Sequence, residues 1–403
     1  MTPIAPQRHA RPVTRRRRGP GTWILTLSVA AVLFAVSAAM LTAPGSSRAG
    51  SSDPAAAASS AGASTSSDPS ASTLPSAALA AAGLASPPPP APAAAPAAVA
   101  AAIPAGPFAH GLLIADRGNG RILAVDNSGH IFWKFPVKGS LPGGMPFAAD
   151  DAFVAPDGKT IVANDEYHQV IYRIDIATRR VIWQYGHFGV PGSGVGYLHN
   201  PDDAYPLANG DIVVADIVNC RILEIAPDKH IVRTLGQTGV CRDNAPRTYG
   251  DPNGDTPLPD GGLLITEIHG SRVVRLSPTG SVVFDIHVPV AYPSDAQLDS
   301  HGNVILVDYS TPGAVVAVTQ QGHVLWRLAP TAGRARMDHP SLGTPLPNGD
   351  IVINDDARDR IIVLDPSTGK VVWQYGHTDT PGTAPGYLSD PDGNQPIPAN
   401  AVF

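Results

Sequence analysis

The chain has 403 residues, and its 28 Lys and Arg against 34 Asp and Glu give a formal net charge of −6. This balance excludes the basic face that a nucleic-acid-binding protein needs, so we expect no nucleic-acid partner. Only two cysteines occur, and no second cysteine pair or His-x-x-His motif indicates a zinc site.

The first 43 residues predict a membrane anchor. Residues 1–21 contain the arginines Arg8, Arg11, Arg15, Arg16, Arg17 and Arg18. Residues 22–43 carry no charge and are mostly apolar, which is about the length of ~20 residues that a spanning helix needs. We therefore predict a basic cytoplasmic tail over 1–21 and one transmembrane signal anchor over 22–43. A cleaved secretory signal, including the twin-arginine type, is the alternative interpretation.

Residues 44–107 consist almost entirely of Ala, Ser, Pro, Gly and Thr. This composition offers too few large apolar side chains to offset the entropy of ordering, so we predict a disordered linker. Its first part resembles a flexible coil, and the later proline run predicts stiffer polyproline-like chain. The anchor and linker together predict a single-pass protein of the cell membrane, with residues 108–403 on the extracytoplasmic side.

Residues 108–403 are organised as a repeat. Five glycines stand in like context, between 41 and 52 residues apart, and Asn400 takes the sixth place: they are Gly158, Gly210, Gly261, Gly302 and Gly349. After each comes a β-rich run, an acidic residue, a short turn, a second run and a third run that usually ends in an aromatic residue such as Trp183. Four short strands per repeat of this length predict the blade of a β-propeller.

The two ends of the repeat region complement each other. The first unit begins at residues 110–116 without an inner strand, and the last segment, residues 387–400, is an inner strand with nothing after it. Joined, they complete one blade and leave no open sheet edge. We predict an all-β, six-bladed β-propeller closed by both chain ends. A linear solenoid is the alternative, but it would need capping repeats.

Cys220 follows the second strand of its repeat, and Cys241 lies in the loop toward the next repeat. Loops of these two kinds share one face of a propeller, so a disulfide can form, and an extracytoplasmic location permits it. Two free thiols are the alternative.

An acid five residues before an arginine is the most regular polar pattern. The pairs are Asp116/Arg121, Asp216/Arg221, Glu267/Arg272 and Asp355/Arg360. The second repeat has Asn164/Gln169 at the corresponding place in our alignment, and the fifth has Asp308 with Gly313. Loss of one partner of a buried ion pair is destabilising, which would explain why both members are replaced together in the second repeat. We interpret these pairs as structural.

Polar residues also begin each predicted inner strand and should line a central channel. We predict a binding role for Asp202, Asp203, Asp255, Asp295 and Asp392. Like charges gathered in a channel repel one another, and a hard cation with oxygen ligands would neutralise them. We name Asp150, Asp202 and Asp392 as candidate ligands for calcium or magnesium. A water-filled channel whose polar groups bond to the backbone is the alternative.

Two related loops carry histidines. Residues 185–198 and 375–388 share the pattern Y-G-H-x-x-x-P-G-x-x-x-G-Y-L. With two histidines at inner-strand starts, they give one face four candidate catalytic groups, which are His187, His199, His339 and His377. The alternative is that His187 and His377 only cap a turn in a duplicated loop.

Several segments resemble known propeller repeats. Residues 214–222 read V-A-D-I-V-N-C-R-I and resemble the NHL-repeat family. Residues 364–373 read L-D-P-S-T-G-K-V-V-W and look like a pyrroloquinoline-quinone-type repeat. Residues 203–211 are similar to the bacterial arylsulfotransferase pattern H-H-D-A-x-x-L-P-N-G-N, with Pro201 and Asp202 where that pattern has histidines.

These resemblances imply a propeller, with functions from ligand sensing to catalysis. Some NHL-type propellers are metal-dependent lyases or lactonases, whereas others bind proteins. We expect a tethered propeller that binds a ligand or protein partner at its loop-rich face, as a sensor or scaffold. The alternative is a lyase-like, lactonase-like or arylsulfotransferase-like enzyme that uses the channel acids and histidines.

Overall fold

The computed structural model describes residues 104–403. The predicted cytoplasmic tail, the membrane helix and the linker up to residue 103 lie outside the described residues. Between residues 104 and 403, no helix is long and apolar enough to cross a membrane.

The described part of the chain forms six four-stranded sheets, which are the predicted blades. Blade 1 contains Leu112–Asp116 (β1), Arg121–Val125 (β2) and Ile131–Phe135 (β3). Blade 2 contains Ala152–Val154 (β4), Thr160–Asp165 (β5), Val170–Asp175 (β6) and Arg180–Gly186 (β7). Blade 3 contains Pro201–Pro206 (β8), Ile212–Asp216 (β9), Arg221–Ile225 (β10) and Ile231–Gly236 (β11).

The second half of the ring repeats this arrangement. Blade 4 contains Pro252–Pro257 (β12), Leu263–Glu267 (β13), Arg272–Leu276 (β14) and Val282–His287 (β15). Blade 5 contains Pro293–Leu298 (β16), Val304–Asp308 (β17), Ala314–Val318 (β18) and Val324–Leu328 (β19). Blade 6 contains Gly343–Pro345 (β20), Ile351–Asp355 (β21), Arg360–Asp365 (β22) and Lys370–Gly376 (β23), and the last strand is Pro391–Pro396 (β24). Short 3-10 turns occupy Arg117–Asn119, Pro142–Gly144, Ile217–Asn219 and Asp356–Arg358.

Both chain ends build blade 1, whose strand order is β24-β1-β2-β3. In the antiparallel register Leu113 faces Gln395 and Ile114 faces Asn394. The prediction of six blades closed by the two ends is therefore confirmed, and a linear solenoid is excluded. Closure pairs the edge of β1 that would otherwise be exposed.

The repeated glycine marks the turn between the inner and second strands. All five glycines have positive φ, between 69° and 93°. A side chain with a Cβ is strained in this left-handed region, which explains why the turn selects glycine.

Tryptophans on the outer strands of blades 1, 2 and 6 join each of these three blades to the next one in the ring. The Trp133 indole donates to the carbonyl oxygen of Ile176 at 2.9 Å, and Trp373 donates to that of Asn127 at 3.0 Å. Trp183 makes the same bond from blade 2 to blade 3. The hydrophobic core accordingly lies between neighbouring sheets, and most side chains of the second and third strands are buried there.

The last residue of every second strand is a buried acid, and we call these six the outer acids: Asp116, Asp165, Asp216, Glu267, Asp308 and Asp355. Each accepts a hydrogen bond from a backbone N–H just before the inner strand of its own blade, as Asp216 does from His199 at 2.7 Å. The acids therefore fix the entry of the chain into each inner strand.

An arginine faces the outer acid in four blades. Arg121, Arg221 and Arg360 place a guanidinium nitrogen 2.5–2.7 Å from Asp116, Asp216 and Asp355, respectively. In blade 4 the Arg272 Nε lies 4.0 Å from Glu267, and the same guanidinium contacts Asp285 instead. Three of the predicted pairs are close ion pairs, and the fourth is loose.

The predicted partners in blades 2 and 5 were wrong by one residue. In the ladder Asp165 faces Val170, so the acid is retained and Asn164/Gln169 is not a replaced pair. His168 Nδ1 lies 2.8 Å from Asp165 and takes the place of the arginine. In blade 5 Asp308 faces Ala314. Hydrogen-bond register, which a spacing of five residues does not determine, decides which residues face each other.

Candidate functional site

The inner strands begin with two rings of polar residues around the channel. Equivalent ladder positions give a first ring of Asp150, Asp202, Asn253, Ser294, Ser341 and Asp392. The next positions give a second ring of Asp151, Asp203, Gly254, Asp295, Leu342 and Gly393. The rings enclose a small cavity lined by Asp151, Asp202, Asp203, Asn253, Ser294, Asp295, Ser341, Leu342 and Asp392. Its volume of about 10 Å³ suits one water-sized occupant.

Arg117 neutralises one side of this channel. The residue follows the outer acid of blade 1, and its side chain is buried. One guanidinium nitrogen lies 2.5 Å from Asp150 Oδ1 and also contacts Asp392, and another lies 3.0 Å from Asp390. The guanidinium carbon is 5.5 Å from the ring centroid of Tyr167. Sequence reasoning missed this residue, although its place directly after a repeated acid put it at the channel mouth.

The other side of the channel has no such cation. We call Asp151, Asp202, Asp203 and Asp295 the channel acids. Within residues 104–403, no Lys, Arg or His nitrogen lies within 4.0 Å of their carboxylates. The carboxyl groups of Asp151 and Asp203 lie within hydrogen-bonding reach of each other, as do those of Asp203 and Asp295. Carboxyl groups without a neighbouring cation are therefore concentrated on the side that blades 2, 3 and 5 supply.

Burial raises the pKa of every channel acid. The pKa values of Asp151, Asp202 and Asp203 lie well above the usual range, because of burial first and neighbouring carboxylates second. Burial also raises the pKa of Asp295, but only to about 6, because Gln297, Ala296 and Thr256 donate hydrogen bonds to its carboxylate. Such a group can hold protons or bind a cation.

The residues predicted to bind a ligand are partly brought together. Asp202, Asp203, Asp295 and Asp392 line the cavity, whereas Asp255 does not. The Asp255 carboxylate is fully buried, and neither of its oxygens has a hydrogen-bond partner within the described residues. Burial raises its pKa well above the usual range, which favours the neutral acid.

The three predicted metal ligands lie in different settings. Asp150 and Asp202 join Asp151 in a cluster whose ligand atoms can lie within 4.8 Å of one another. Asp392 instead contacts Arg117. Asp151, which follows Asp150 directly, was in the predicted ring but not in the predicted metal site.

The four candidate histidines have separate surroundings. His187 stacks on Tyr197 at 4.1 Å, and His377 stacks on Tyr387 at 4.0 Å. His339 Nδ1 lies 2.8 Å from Asp338. Burial lowers the pKa of His199. In the described part of the chain, no hydrogen bond or ring contact joins two of these four, and no cluster of three potential metal ligands includes a histidine.

The two duplicated loops fold alike. Exposed and buried positions coincide residue by residue across residues 181–200 and 371–390. The backbone N–H of Gly196 donates to the Tyr185 hydroxyl at 3.0 Å, and that of Gly386 donates to Tyr375 at 3.2 Å. The two loops therefore keep the same structure although some of their side chains differ.

Their surfaces differ strongly. We call Tyr167, Phe188, Val190 and Val195, which lie on the blade 2 loops, the blade 2 patch. Phe188 stacks on His168 with ring centroids 4.4 Å apart, and Val195 is 84% exposed. The matching positions in blade 6 are Ala357, Thr378, Thr380 and Pro385. There Arg358 and Asp379 form a salt bridge at 2.9 Å.

Cys220 and Cys241 form a disulfide on the same face, with Cα atoms 5.1 Å apart. The bond joins the turn after β9 to the loop that follows β11. The two cysteines are 21 residues apart in sequence. The bond therefore reduces the conformational freedom of the segment that connects blades 3 and 4.

Several solved structures are similar to this chain at low sequence identity. A Bacteroides caccae protein of unknown function is 16% identical with a TM-score of 0.50, over 70% of this chain and 97% of that one. A catalytically inactive Staphylococcus aureus virginiamycin B lyase with quinupristin is 18% identical with a TM-score of 0.44, over 64% and 78%. A nidogen/laminin complex is 15% identical with a TM-score of 0.49, over 70% and 97%.

The sequence itself matches a family model. The model described as outer membrane protein assembly factor BamB covers residues 167–394, which is more than half of the chain. The curated proteins contain no match to this sequence. The chain therefore belongs to the BamB-like family of pyrroloquinoline-quinone-type propellers, as the repeat at residues 364–373 led us to expect.

Proposed function

We propose that this BamB-family propeller is a membrane-tethered, extracytoplasmic binding module that holds a partner protein at its loop-rich face. The family description names an assembly factor, which is a role performed by binding other proteins. The arginines and the apolar segment of residues 1–43, which lie outside the described residues, support the tether.

The blade 2 patch is the observation that carries this proposal. Val190 is 50% exposed, Tyr167 is 48% exposed, and the Gly189 N–H donates to the His168 carbonyl at 2.8 Å. This hydrogen bond holds the loop against the turn that contains Tyr167. The blade 6 copy keeps the fold with Ala357, Thr380 and Pro385 at these positions, so the exposed side chains of Tyr167, Val190 and Val195 are not required for folding, whereas Phe188 packs partly against the core. Clustered exposed apolar side chains on a rigid surface are typical of a protein-binding site.

The channel gives less support to an enzyme. Its cavity of about 10 Å³ has no room for an organic substrate, and Arg117 fills the side next to blades 1 and 2. The candidate histidines lie apart from each other, whereas a catalytic set needs its groups within reach of one reacting atom. A binding module needs neither a substrate pocket nor converging histidines.

Site-specific photocrosslinking in cells that express the full chain tests the proposal. A photoreactive phenylalanine replaces Val195 in one variant and Pro385, its counterpart in blade 6, in the other. We expect a discrete protein adduct at position 195, identified by mass spectrometry, and at least about five times less adduct at position 385. The fraction of the chain that sediments with membranes reports the tether.

A competing variant checks that the patch itself is responsible. Val190→Thr copies Thr380 at the matched position of the blade 6 loop, so it should leave folding unchanged. It should reduce the adduct at position 195 severalfold. Equal adducts at both positions, or no adduct at either, would contradict partner binding at this patch.

A further inference from the structure

We propose that the channel acids form a calcium site in which Asp151, Asp202, Asp203 and Asp295 bind one Ca²⁺. The four carboxylates line one cavity, and the cavity is large enough for a single small occupant. Arg117 contacts Asp150, Asp390 and Asp392 and makes no ion pair with the four channel acids. The proposal is independent of the partner-binding function.

One of the residues that line the cavity, Asp203, has a carboxylate oxygen that accepts no hydrogen bond from a donor group. Asp203 lines the cavity and is only 3% exposed, and no N–H or hydroxyl group among the described residues donates a hydrogen bond to its Oδ2. A buried carboxylate oxygen without a partner is costly, because its desolvation is not compensated. A bound cation supplies the missing interaction.

Gly254 clears the space in which two of the carboxylates approach each other. A Cβ at this position would lie 2.6 Å from Asp295 Oδ1 and 3.1 Å from Asp203 Oδ2. Any larger residue would push the two oxygens apart. The second ring therefore has a gap on the blade 4 side that lets acids of blades 3 and 5 face one point.

The surrounding residues hold these acids in place. Asp295 Oδ1 accepts the N–H of Ala296 at 2.7 Å, and Oδ2 accepts the Gln297 amide at 2.8 Å. Asp202 accepts the backbone N–H of Asp203 at 3.0 Å and also contacts the Asn253 amide. Hydrogen-bonded ligands of this kind are typical of metal sites, because the outer partners orient the inner ones.

The chemistry of the site favours calcium. All the ligands are oxygens, which excludes a preference for zinc. Ca²⁺ takes six to eight oxygens in irregular geometry, and four carboxylates with neighbouring Asn253 and Ser294 supply that number. Mg²⁺ demands octahedral geometry and retains several waters, for which a cavity of about 10 Å³ has no room.

Calcium would link three blades across the channel. Asp151 precedes β4 of blade 2, Asp202 and Asp203 belong to β8 of blade 3, and Asp295 belongs to β16 of blade 5. Blades 3 and 5 are not neighbours in the ring, so the ion would tie inner strands that share no sheet. We therefore expect it to stabilise the closed ring.

Thermal unfolding of the full-length protein, purified in mild detergent with a chelator and then dialysed, tests the site. We expect 1 mM CaCl₂ to raise the Tm by at least about 5 °C and 1 mM MgCl₂ to raise it less than half as much. Elemental analysis after exposure to CaCl₂ and desalting should find about one calcium per chain.

Two variants at matched backbone positions locate the site. Asp203 and Asp390 both have positive φ, of 48° and 49°, and asparagine tolerates this conformation. Asp203→Asn should abolish the Ca²⁺-dependent rise in Tm, whereas Asp390→Asn should retain it. If Asp203→Asn does not fold, Asp151→Asn removes a different carboxylate of the site and should likewise abolish the rise.

The outcomes separate clearly. No rise in Tm together with less than about 0.1 calcium per chain would overturn the site. An equal rise with MgCl₂ would overturn the assignment to calcium. A rise that persists in both Asp203→Asn and Asp151→Asn would overturn the location.

Discussion

Two groups of buried acids lie toward the same face of the propeller, and the fold treats them differently. Each outer acid occupies the same position in its blade and receives a backbone hydrogen bond, as Asp355 does from Asp338 at 2.7 Å. The channel acids occupy equivalent inner-strand positions in only some blades, and no backbone N–H just before their inner strands recurs as a shared partner. Gly254 and Leu342 stand where other blades have Asp151 or Asp203.

The difference separates fold from function. A polar group that recurs in all six blades with the same partner solves a problem that every blade shares, namely how to fix the chain before the inner strand. A polar group present in a few blades has no such general role. The site of a repeat protein is therefore best sought where equivalent positions differ.

The largest expected effect comes from an outer acid that loses its arginine. Arg360 is 1% exposed and lies 2.7 Å from Asp355. Arg360→Met removes the positive charge and leaves the carboxylate buried, so we expect a loss of about 4 kcal/mol in the free energy of unfolding. Denaturant unfolding followed by tryptophan fluorescence measures it.

The same variant sharpens the comparison, because it should leave the channel untouched. The Ca²⁺-dependent rise in Tm should match that of the unmodified chain within about 1 °C. A variant that keeps its stability but loses the calcium response would show that Arg360 serves the site and not the fold.

Features that recur from blade to blade could be predicted from the sequence, whereas features that occur in only one or a few blades could not. The glycine turns, the blade closure at Ile114 and Asn394, and three of the ion pairs recur, and recurrence can be read from the chain. Arg117 occurs once, so no repeat revealed it. The shift in blade 2 was missed because Asn164 and Asp165 are adjacent and only the ladder register decides between them.

The blade 2 patch could not be predicted for a different reason. The pattern of residues 185–198 is shared with residues 375–388, and the match drew attention to the histidines that the loops have in common. The informative residues were those that differ, such as Val195 against Pro385. Whether such residues can contact a partner depends on the exposed fraction of their side chains, which is known only from the folded loop.

A second prediction concerns the outer acid with the loosest arginine. Burial raises the pKa of Glu267 to about 8, and Arg272 lies too far away to reverse the effect. In the unfolded chain the pKa is about 4.5, so between these values only the unfolded state has lost its proton. The contribution of Glu267 to stability is full below about pH 4.5 and is lost as the pH rises through about 8.

Glu267→Gln removes this titration. Relative to the unmodified chain, the variant should gain on the order of 2 kcal/mol in the free energy of unfolding between pH 5 and pH 9, because each pKa unit is worth about 1.4 kcal/mol and Arg272 can rotate toward the charge. Unfolding curves at the two pH values measure the gain. Parallel pH profiles would mean that Glu267 is ionised and paired like Asp355.

The smallest expected effect lies in blade 5, where the outer acid needs no arginine. Asp308 accepts the backbone N–H groups of Ala291 and Tyr292, each at 3.0 Å, whereas Arg327 is 42% exposed and lies 3.7 Å away. Two N–H donors satisfy one carboxylate oxygen, and an exposed guanidinium at this distance adds little. Arg327→Ala should therefore change the free energy of unfolding by less than about 0.5 kcal/mol, measured as for Arg360→Met. A loss comparable to that of Arg360→Met would mean that charge neutralisation, and not the backbone hydrogen bond, is what every outer acid requires.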